Sequence, residues 1–418
     1  MSSKKKTTST KDDGKRALVP KLRFQGFPDA EGWEGMRLGE LCERIMDGTH
    51  FSPKSKSGPK PYLTSKNIRD GRIDLSDLCY ISEDEHREIY KRCPVKKGDV
   101  LLTKDGANTG NCALNNLDFE FSLLSSVAVL RGDAAKVSQQ FLFQTIVSDR
   151  TRHLIEDSMS GQAITRITLE KLGKYVVPVP SVAEQQKIAE CLSSVDELIA
   201  AQARKVDALK THKKGLMQQL FPREGETQPR LRFPEFQNAG EWEPKTIGAV
   251  CKLKAGEFVS ASAIAGAFKD GLFSCYGGNG LRGYVQSFTH EGTYVLIGRQ
   301  GALCGNVNLF HGKFHATEHA LVVTPNKGIA TSWLYYAMDF LDLNRFSIGQ
   351  AQPGLSVGVL NSLEFSIPRD EQEQQHFASC LTSLDDLITA QTQKLEALKT
   401  HKKGLMQQLF PSPAEVEA

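Results

Sequence analysis

A segment of fifteen residues occurs twice in this chain without a single difference. Residues 208–222 and 397–411 both read ALKTHKKGLMQQLFP, at an offset of 189 positions. A second repeat, at an offset of 209, relates residues 20–39 to residues 229–248 through shared Leu-Arg-Phe, Phe, Ala, Trp-Glu and Gly positions. Offsets of 189 and 209 residues indicate that the duplicated unit has the size of a domain. The 418 residues are therefore expected to form two related halves.

The stretches between these repeated ends have diverged. Because the two offsets differ, the halves share their ends and differ in length in the middle. One weaker similarity survives there, between residues 100–111 (VLLTKDGANTGN) and residues 295–306 (VLIGRQGALCGN). This pattern predicts two middles with a similar fold and different surfaces. We interpret it as one scaffold function performed twice and two different recognition functions.

The repeated segments after each middle have the periodicity of a coiled coil. Apolar residues recur at alternating spacings of four and three, and a glutamine occupies the same position of both copies, where a buried polar pair can fix register. We expect two long antiparallel helices; the alternative is that each helix packs only on its own domain. The predicted seam consists of Ile188, Leu192, Val195, Ile199, Gln202, Val206, Leu209, Phe377, Leu381, Leu384, Ile388, Gln391, Leu395 and Leu398.

The middles consist of short apolar or aromatic runs interrupted by Gly, Asn and Asp. Such runs predict strands, and two longer periodic stretches predict helices at residues 138–153 and 331–343. The fold class expected for each middle is α+β. The predicted strands are residues 99–103, 126–130 and 175–177 in the first middle and residues 272–276, 283–286, 293–297 and 320–324 in the second.

Several motifs together resemble one family. They are the segments around Phe24 and Trp33, repeated at Phe233 and Trp242, the DGTHFSP segment at 47–53, the GDVLLTKDGA segment at 98–107 and the helix end KKGLMQQLFP at 213–222. The residues of these motifs and their order along the chain resemble the specificity subunits of type I restriction-modification systems, over residues 20 to 411. The second middle departs from the pattern, because it has Ala255-Gly-Glu-Phe-Val where the first has Asp-Gly-Thr-His.

The resemblance implies a function, partners and domain boundaries. It implies two target recognition domains, each reading half of a split site in double-stranded DNA. Two long antiparallel coiled-coil helices would join them with internal pseudo-twofold symmetry. The expected partners are DNA, two methyltransferase subunits and, through these, restriction subunits. The expected boundaries are a disordered basic tail at 1–19, recognition domains at 20–180 and 229–368, and helices at 181–222 and 369–411. A helix from Ile188 to Leu220 spans roughly 50 Å at about 1.5 Å per residue, a little over one turn of DNA.

Candidate DNA-binding residues come from basic stretches and from the repeat. Residues 50–72 carry six Lys or Arg against Asp70 alone, interleaved with aromatic and polar residues that can contact phosphates or base edges. The alternative for this basic stretch is a solvated loop. Lys104 and Arg299 occupy the same position of the repeat, so we expect both to face DNA. The full set is His50, Lys54, Lys56, Ser65, Lys66, Asn67, Arg69, Lys104, Asn108 and Gln162, with Tyr276, Asn279, Arg282, Arg299, Gln300, Gln350 and Gln352.

Motifs for catalysis are missing from the sequence. It contains no phosphate-binding GxxxxGK[ST] loop, no HExxH and no adenine-methyltransferase Asn-Pro-Pro-aromatic segment. Residues 278–283 match GxGxxG but precede a strand pattern, and His311, His315 and His319 with Cys304 fit no zinc spacing. We therefore expect a non-catalytic recognition subunit with no catalytic residue, metal or cofactor of its own. S-adenosylmethionine, ATP and Mg²⁺ are expected on the partner subunits.

Charge and composition bound these expectations. The formal charge is +3, but residues 1–24 alone contribute +6, so overall charge gives no argument for DNA binding. Nine cysteines without a CxxC pair indicate reduced thiols, and no apolar run or signal sequence is present, which favours the cytoplasm. Two other functions stay open at this stage: a coiled-coil scaffold or adaptor that does not bind DNA, and a freestanding enzyme using the glycine-rich loop.

Overall fold

The computed structural model describes residues 18–55, 57–159, 166–278, 280–301, 303–349 and 353–411. The chain divides into two compact units. Unit 1 comprises residues 1–202 and 394–418, and unit 2 comprises residues 203–393. Five of the predicted site residues lie outside the described residues, as does the predicted tail up to residue 17; these five are Lys56, Gln162, Asn279, Gln350 and Gln352.

Unit 1 is an α+β domain built on a four-stranded antiparallel sheet. The sheet has the order β2-β10-β7-β8, and a three-stranded sheet of order β6-β3-β9 accompanies it. Two further pairs, β1-β11 and β4-β5, complete the strands described in this unit. The elements are β1 (Glu34–Arg37), α1 (Leu38–Leu41), β2 (Cys42–Asp47), β3 (Lys60–Leu63), β4 (Ile68–Arg69), β5 (Arg72–Ile73), β6 (Cys79–Ile81), α2 (Glu83–Arg92), β7 (Val100–Thr103), β8 (Cys112–Leu114), β9 (Ser122–Leu123), β10 (Val127–Gly132), α3 (Gln139–Val147), α4 (Asp149–Met159), α5 (Leu169–Gly173), β11 (Val176–Val179) and α6 (Val182–Leu220), which begins in unit 1 and ends in unit 2.

Both faces of the four-stranded sheet of unit 1 are covered. Val100 and Leu102 point to one core, which includes residues of α3, and Leu101 points to a second core that includes Leu63 and Leu123 of the three-stranded sheet. Because successive side chains of a strand point to opposite faces, a strand buried on both sides must be apolar at every position. The continuous Val-Leu-Leu run of β7 has this composition.

Unit 2 has the same α+β character on a larger sheet. Its six strands have the order β13-β18-β16-β17-β14-β15, and β12 pairs separately with β19. Three short 3₁₀ turns lie at residues Pro234–Phe236, Ala261–Ala263 and Leu343–Phe346. The other elements are β12 (Glu243–Thr246), α7 (Ile247–Val250), β13 (Cys251–Ala255), β14 (Phe273–Gly277), β15 (Gly280–Val285), β16 (His290–Gly298), β17 (Val307–Ala316), β18 (Ala320–Pro325), α8 (Thr331–Phe340), α9 (Val357–Ser362), β19 (Glu364–Ile367) and α10 (Glu371–Leu409), which begins in unit 2 and ends in unit 1.

The two faces of the unit 2 sheet differ. One face packs against α8 in the main core of the unit. The other carries a small cluster in which Tyr276, Tyr294 and Phe310 are only partly buried. On β13 the residues alternate accordingly: Leu253 packs with the main core, whereas Lys252 and Lys254 are exposed. This second face is therefore aromatic and flanked by lysines.

Each long helix is anchored to its unit by a buried ion pair. Arg23 contacts Glu184 of α6 at 2.7 Å in unit 1, and Arg232 contacts Glu373 of α10 at 2.7 Å in unit 2. The repeated Leu-Arg-Phe segment thus supplies the same arginine to each helix start. Every predicted seam residue is buried or half-buried, but at the helix starts this reflects packing within the unit. Ile188 and Leu192 lie in the main core of unit 1, and Phe377 and Leu381 lie in that of unit 2.

The predicted elements are confirmed apart from the helix that follows β10. Each predicted strand coincides with an observed one within three residues at either end. The helix predicted over residues 138–153 is wrong as a single element. Ser148 has extended backbone angles, φ −64° and ψ 149°, and separates α3 from α4. The helix predicted to end at residue 343 ends at Phe340 and is followed by a 3₁₀ turn.

None of the helices in the described residues has the length and apolarity needed to span a bilayer.

Candidate DNA interface

The weak sequence similarity between the two middles corresponds to the same loop in both units. The loop at residues 103–111 follows β7, and its counterpart at 298–301 and 303–306 follows β16. Four hydrogen bonds from a backbone amide to a backbone carbonyl recur. In unit 1 they run from Thr103 to Asn111, from Gly110 to Thr103, from Thr109 to Gly106 and from Asn111 to Asn108. In unit 2 the equivalent bonds run from Gly298 to Asn306, from Gly305 to Gly298, from Cys304 to Gly301 and from Asn306 to Leu303. The glycines at equivalent positions adopt positive φ angles, 90° at Gly106 against 87° at Gly301 and 96° at Gly110 against 86° at Gly305. Conformations of this kind favour glycine, which explains why both copies keep it.

The cation of this loop lies on the same backbone in both units. The amide of Lys104 donates to the carbonyl of Ser126 at 2.9 Å, and the amide of Arg299 donates to that of His319 at 2.9 Å. The carbonyls of Lys104 and Arg299 each accept from a returning segment, at Ile167 and Leu355, again at 2.9 Å. The repeat position is therefore equivalent in structure as well as in sequence.

A second loop explains the departure of the second middle from the first. A Cβ atom on Gly48 would overlap the carbonyl oxygen of Leu123, and one on Gly256 would overlap that of Ala316. The residue after each glycine donates to that same carbonyl, from Thr49 and from Glu257, at 2.8 Å in both cases. Asp-Gly-Thr-His and Ala-Gly-Glu-Phe are thus the same turn, in which only the glycine is sterically required.

We call the convergence of these segments the loop junction. In unit 1 it comprises residues 47–50, 103–111, 123–126 and 166–167. In unit 2 it comprises residues 255–258, 298–301, 303–306, 316–319 and 354–355. Loops at the end of a sheet are free to vary in side chain while the strands hold their backbone, which makes them the usual position of binding residues.

The structure corrects the expectation that Lys104 faces DNA. Its side chain is only 2% exposed, and its Nζ lies 3.0 Å from Asp105 Oδ2 and 3.4 Å from Asp47 Oδ2. Two carboxylates therefore neutralise the ammonium group inside the junction. Neither Asp47 nor Asp105 was among the predicted site residues. Their positions beside the glycine turn and beside Lys104 could have been found only by aligning both turns of the two halves.

Arg299 has different surroundings. The positions equivalent to Asp47 and Asp105 are Ala255 and Gln300, so neither carboxylate is present. Arg299 is half-buried and Gln300 is exposed. Within the part of the chain that the structure describes, no side chain or carbonyl accepts a hydrogen bond from the Arg299 guanidinium, and no carboxylate forms an ion pair with it. Of the two acids in the unit 2 junction, Glu318 lies 3.2 Å from His319 Nε2 and Glu257 is exposed.

The basic stretch of unit 1 is less positive than its sequence indicates. Lys60 lies 3.8 Å from Glu83 and 3.7 Å from Glu120, and Lys66 lies 2.8 Å from Asp77. These acids come from outside residues 50–72, so part of the local charge counted along the sequence is compensated in space. Arg69 is similarly 3.5 Å from Asp74, although it remains exposed.

The other predicted residues of unit 1 divide into structural and exposed groups. Asn67 is buried and structural: its Oδ1 accepts from the Thr64 amide, and its Nδ2 donates to two backbone carbonyls, so it is not available to read a base. Ser65 and Asn108 are half-buried. His50 and Lys54 are exposed, and His50 lies 3.5 Å from Asp47 in the junction.

In unit 2, Arg282 is exposed, whereas the ring of Tyr276 stacks on Phe310 with centroids 3.6 Å apart. Tyr276 belongs to the aromatic face described above. The GxGxxG match at residues 278–283 is occupied by β15, so no helix starts there to hold a dinucleotide.

The three histidines noted in the sequence have separate partners. His311 bonds to Thr293 at 2.9 Å, His315 lies 3.2 Å from the Glu257 carbonyl, and His319 pairs with Glu318. Over the described ranges, no group of three or more His, Cys, Asp or Glu residues is arranged to hold a metal ion.

Comparison with known proteins decides the family. The type I restriction modification DNA specificity domain matches residues 30–211 and again residues 239–400, one match in each half. The chain belongs to this family. It is 35% identical, over 81% of its length and 83% of the relative, to the type I restriction enzyme EcoprrI specificity subunit of Escherichia coli. The MjaVIII specificity subunit of Methanocaldococcus jannaschii is 23% identical over 94% of this chain and 96% of its own.

Solved structures support the fold of this specificity subunit. The crystal structure of a type I restriction-modification S subunit from M. genitalium aligns with a TM-score of 0.65 and 19% identity, covering 94% of this chain and 100% of that one. A chain from a structure of type I system assembly aligns with a TM-score of 0.51, covering 91% and 98%. The relatives are named as specificity subunits, which does not favour the alternative of a scaffold that ignores DNA.

Proposed function

We propose that this specificity subunit reads a two-part DNA site, one part with each unit, and that the loop junctions supply the contacts. The observation that carries the proposal is the duplicated junction: one backbone arrangement, repeated in both units, presents different side chains. An arrangement of this kind suits two readers that approach DNA in the same way and recognise different bases. Cations and amides on such loops can position the phosphates and read base edges.

We propose further that α6 and α10 pair as antiparallel helices with pseudo-twofold symmetry. In unit 1, Lys402 of α10 contacts Asp196 of α6 at 2.7 Å. In unit 2, Lys213 of α6 contacts Asp385 of α10 at 2.6 Å. Each pair is the repeat image of the other, because both residues shift by 189 positions. From Asp196 to Lys213 the position on α6 advances by seventeen residues, whereas the contacted position on α10 moves back by seventeen, from Lys402 to Asp385. This opposite progression supports an antiparallel pairing.

The identical helix ends support two copies of one partner. Within residues 208–222 and 397–411 even the exposed positions agree, including Lys210, His212 and Lys214 with their repeats. Exposed positions earlier in the same helices differ, as at Lys187 and His376. Packing within the chain can explain why buried residues are kept, but it does not explain why exposed residues at this end of both helices are identical. Identical exposed residues fit two surfaces that each bind a copy of the same partner. The proposed partners are two methyltransferase subunits, with restriction subunits held through them.

In this proposal the subunit is a non-catalytic cytoplasmic recognition component. The S-adenosylmethionine, ATP and Mg²⁺ that methylation and restriction need would bind to the partner subunits. No residue of this chain is assigned a catalytic role. Its contribution is to position the partner enzymes relative to the two half-sites.

Long-read methylation mapping tests the proposal. The chain is expressed with its neighbouring methyltransferase gene in a host without methylation, and we expect a bipartite methylated motif. Replacing residues 40–180 with those of a relative should change one half of the motif and leave the other unchanged. Inserting residues into α6 and α10 between Ile188 and Leu209 and at the matching positions of the second copy should change only the spacing.

Two results would contradict the proposal. One is equal affinity of the complex for the mapped motif and for random duplex. The other is binding that does not weaken as salt rises, because protein contacts to phosphates release counterions and make affinity fall steeply with salt. Binding that is insensitive to salt would point instead to a protein scaffold.

A further inference from the structure

The central cation of the loop junction is paired with two carboxylates in unit 1 and has no carboxylate partner among the described residues in unit 2. In unit 1, Lys104 is buried between the carboxylates of Asp47 and Asp105, and Arg166 Nε lies a further 3.6 Å from Asp105 Oδ1. The side chains of Lys104, Arg166, Asp47 and Asp105 carry equal numbers of opposite charges. The partly exposed His50 adds charge only when protonated.

The equivalent position of unit 2 has lost both carboxylates. Ala255 and Gln300 replace them, and Arg299 is half-buried without a partner among the described residues. The unit 2 junction contains two acids: Glu318 lies 3.2 Å from His319, and Glu257 is exposed; neither forms an ion pair with Arg299. A half-buried guanidinium that makes no hydrogen bond is unfavourable, because it has lost part of its hydration without replacement. The arrangement becomes favourable when an anion or a planar acceptor reaches it.

We infer that Arg299 contacts DNA directly, whereas its repeat partner Lys104 is a positioning residue that holds the unit 1 junction together. The inference rests on the proposed function and assigns unequal roles to residues that the repeat makes equivalent. Two donors of the Arg299 guanidinium match either a backbone phosphate or the O6 and N7 acceptors of a guanine. Lys104 could reach a phosphate only by leaving two carboxylates unpaired, and these would repel the phosphate.

The exchange of the carboxylates between units tests the assignment. Four variants of the full chain in complex with its methyltransferase subunits are compared on the mapped duplex over a range of salt concentrations: Arg299→Gln, Arg299→Lys, the double variant Ala255→Asp with Gln300→Asp, and Lys104→Met. The double variant keeps Arg299 and surrounds it with the acids of unit 1. It therefore separates loss of the free charge from loss of the side chain.

We expect Arg299→Gln and the double variant each to weaken binding by about tenfold or more, the scale of one good contact. The slope of log affinity against log salt should become shallower by about 1, as for the loss of one phosphate contact. Lys104→Met should leave this slope unchanged and instead speed hydrogen exchange of residues 47–50 and 105–109. Arg299→Lys separates the two DNA targets: a phosphate contact retains the salt slope, whereas a guanine contact loses discrimination at one base pair.

Two outcomes would overturn the inference while leaving the proposed function intact. One is unchanged affinity and salt slope in both Arg299→Gln and the double variant, with the wild type still binding its motif specifically. The other is an equal loss of salt slope in Lys104→Met and Arg299→Gln. Failure of the wild-type complex to discriminate its motif from random duplex would instead refute the proposed function. Exchange protection of the main cores identifies any variant that has unfolded.

Discussion

Unit 1 and unit 2 share a loop junction and differ in what surrounds it. In unit 1 the central cation is neutralised by two acids and the second face of the sheet is covered by a further sheet, which forms a second apolar core. In unit 2 the cation has no such acids, and the second face presents partly buried aromatic rings. Duplicated domains can therefore keep the backbone of a loop while the charged residues around it and the packing on the adjacent sheet face change. Four predictions test how far this contrast extends.

The largest effect is expected on the second faces of the two sheets. Leu101→Ala in unit 1 removes a fully buried side chain and should lower the free energy of unfolding by about 3 kcal/mol. Phe310→Ala in unit 2 should cost only about 1 kcal/mol, because the ring is partly exposed. Hydrogen exchange of peptides from each unit measures both. Equal losses would show that the unit 2 face is packed as tightly as that of unit 1.

The two glycine turns test the part of the junction that the units share. Gly48→Ala and Gly256→Ala should each destabilise their own unit by about 2 kcal/mol, because the new Cβ would overlap a backbone carbonyl that cannot move freely. Gly266→Ala is the control, since no atom lies within 4 Å of the position of its Cβ. If Gly256→Ala were as harmless as this control, the two turns would not be equivalent.

The helix ion pairs should differ in strength between units. Lys213 contacts Asp385 and also lowers the pKa of Asp339, which burial raises above its usual value. Lys402 contacts Asp196, which accepts a hydrogen bond from neutral Gln144. We expect Lys213→Met to cost about 2 kcal/mol and Lys402→Met about 1 kcal/mol, because only the first leaves two acids without a cation.

This difference should depend on pH. A raised pKa in the folded state means that ionised Asp339 destabilises unit 2, and the cost is present above that pKa and disappears as the pH falls through it. Removing Lys213 raises the pKa of Asp339 further, so the deficit of Lys213→Met should shrink as the pH falls from 7 towards the usual aspartate pKa of 3.8. Urea unfolding over this pH range, with Lys402→Met as the comparison, measures this. A deficit that grows on acidification would show that Asp339 is not the group responsible.

The smallest effect should be the same in both units. Gly215 and Gly404 lie inside α6 and α10 with no atom within 4 Å of a new Cβ. Replacing either with Ala should stabilise the helix by about 1 kcal/mol. Thermal unfolding of the two single variants measures the gain. Unequal shifts would show that the identical helix ends have different surroundings.

Much of the fold could be predicted from local sequence. The strand and helix bounds follow from apolar runs, periodicity and glycine, and the repeat predicts two related halves. The break at Ser148 could not be predicted, because residues 138–153 are compatible with one helix and tertiary packing selects two. The compensation of Lys66 and Arg69 was also hidden, since the acids that pair with them lie beyond the basic stretch.

The candidate site divides in the same way. The repeat placed Lys104 and Arg299 at one position, and the structure bears out this equivalence through matched backbone hydrogen bonds. The sequence alone thus determined the duplication, the family resemblance and the glycines that the turns require. Only the tertiary structure decided that Lys104 is buried and Arg299 is not, because the charge state of a side chain's surroundings depends on residues such as Asp47, which lies 57 positions away along the chain and 3.4 Å away in space.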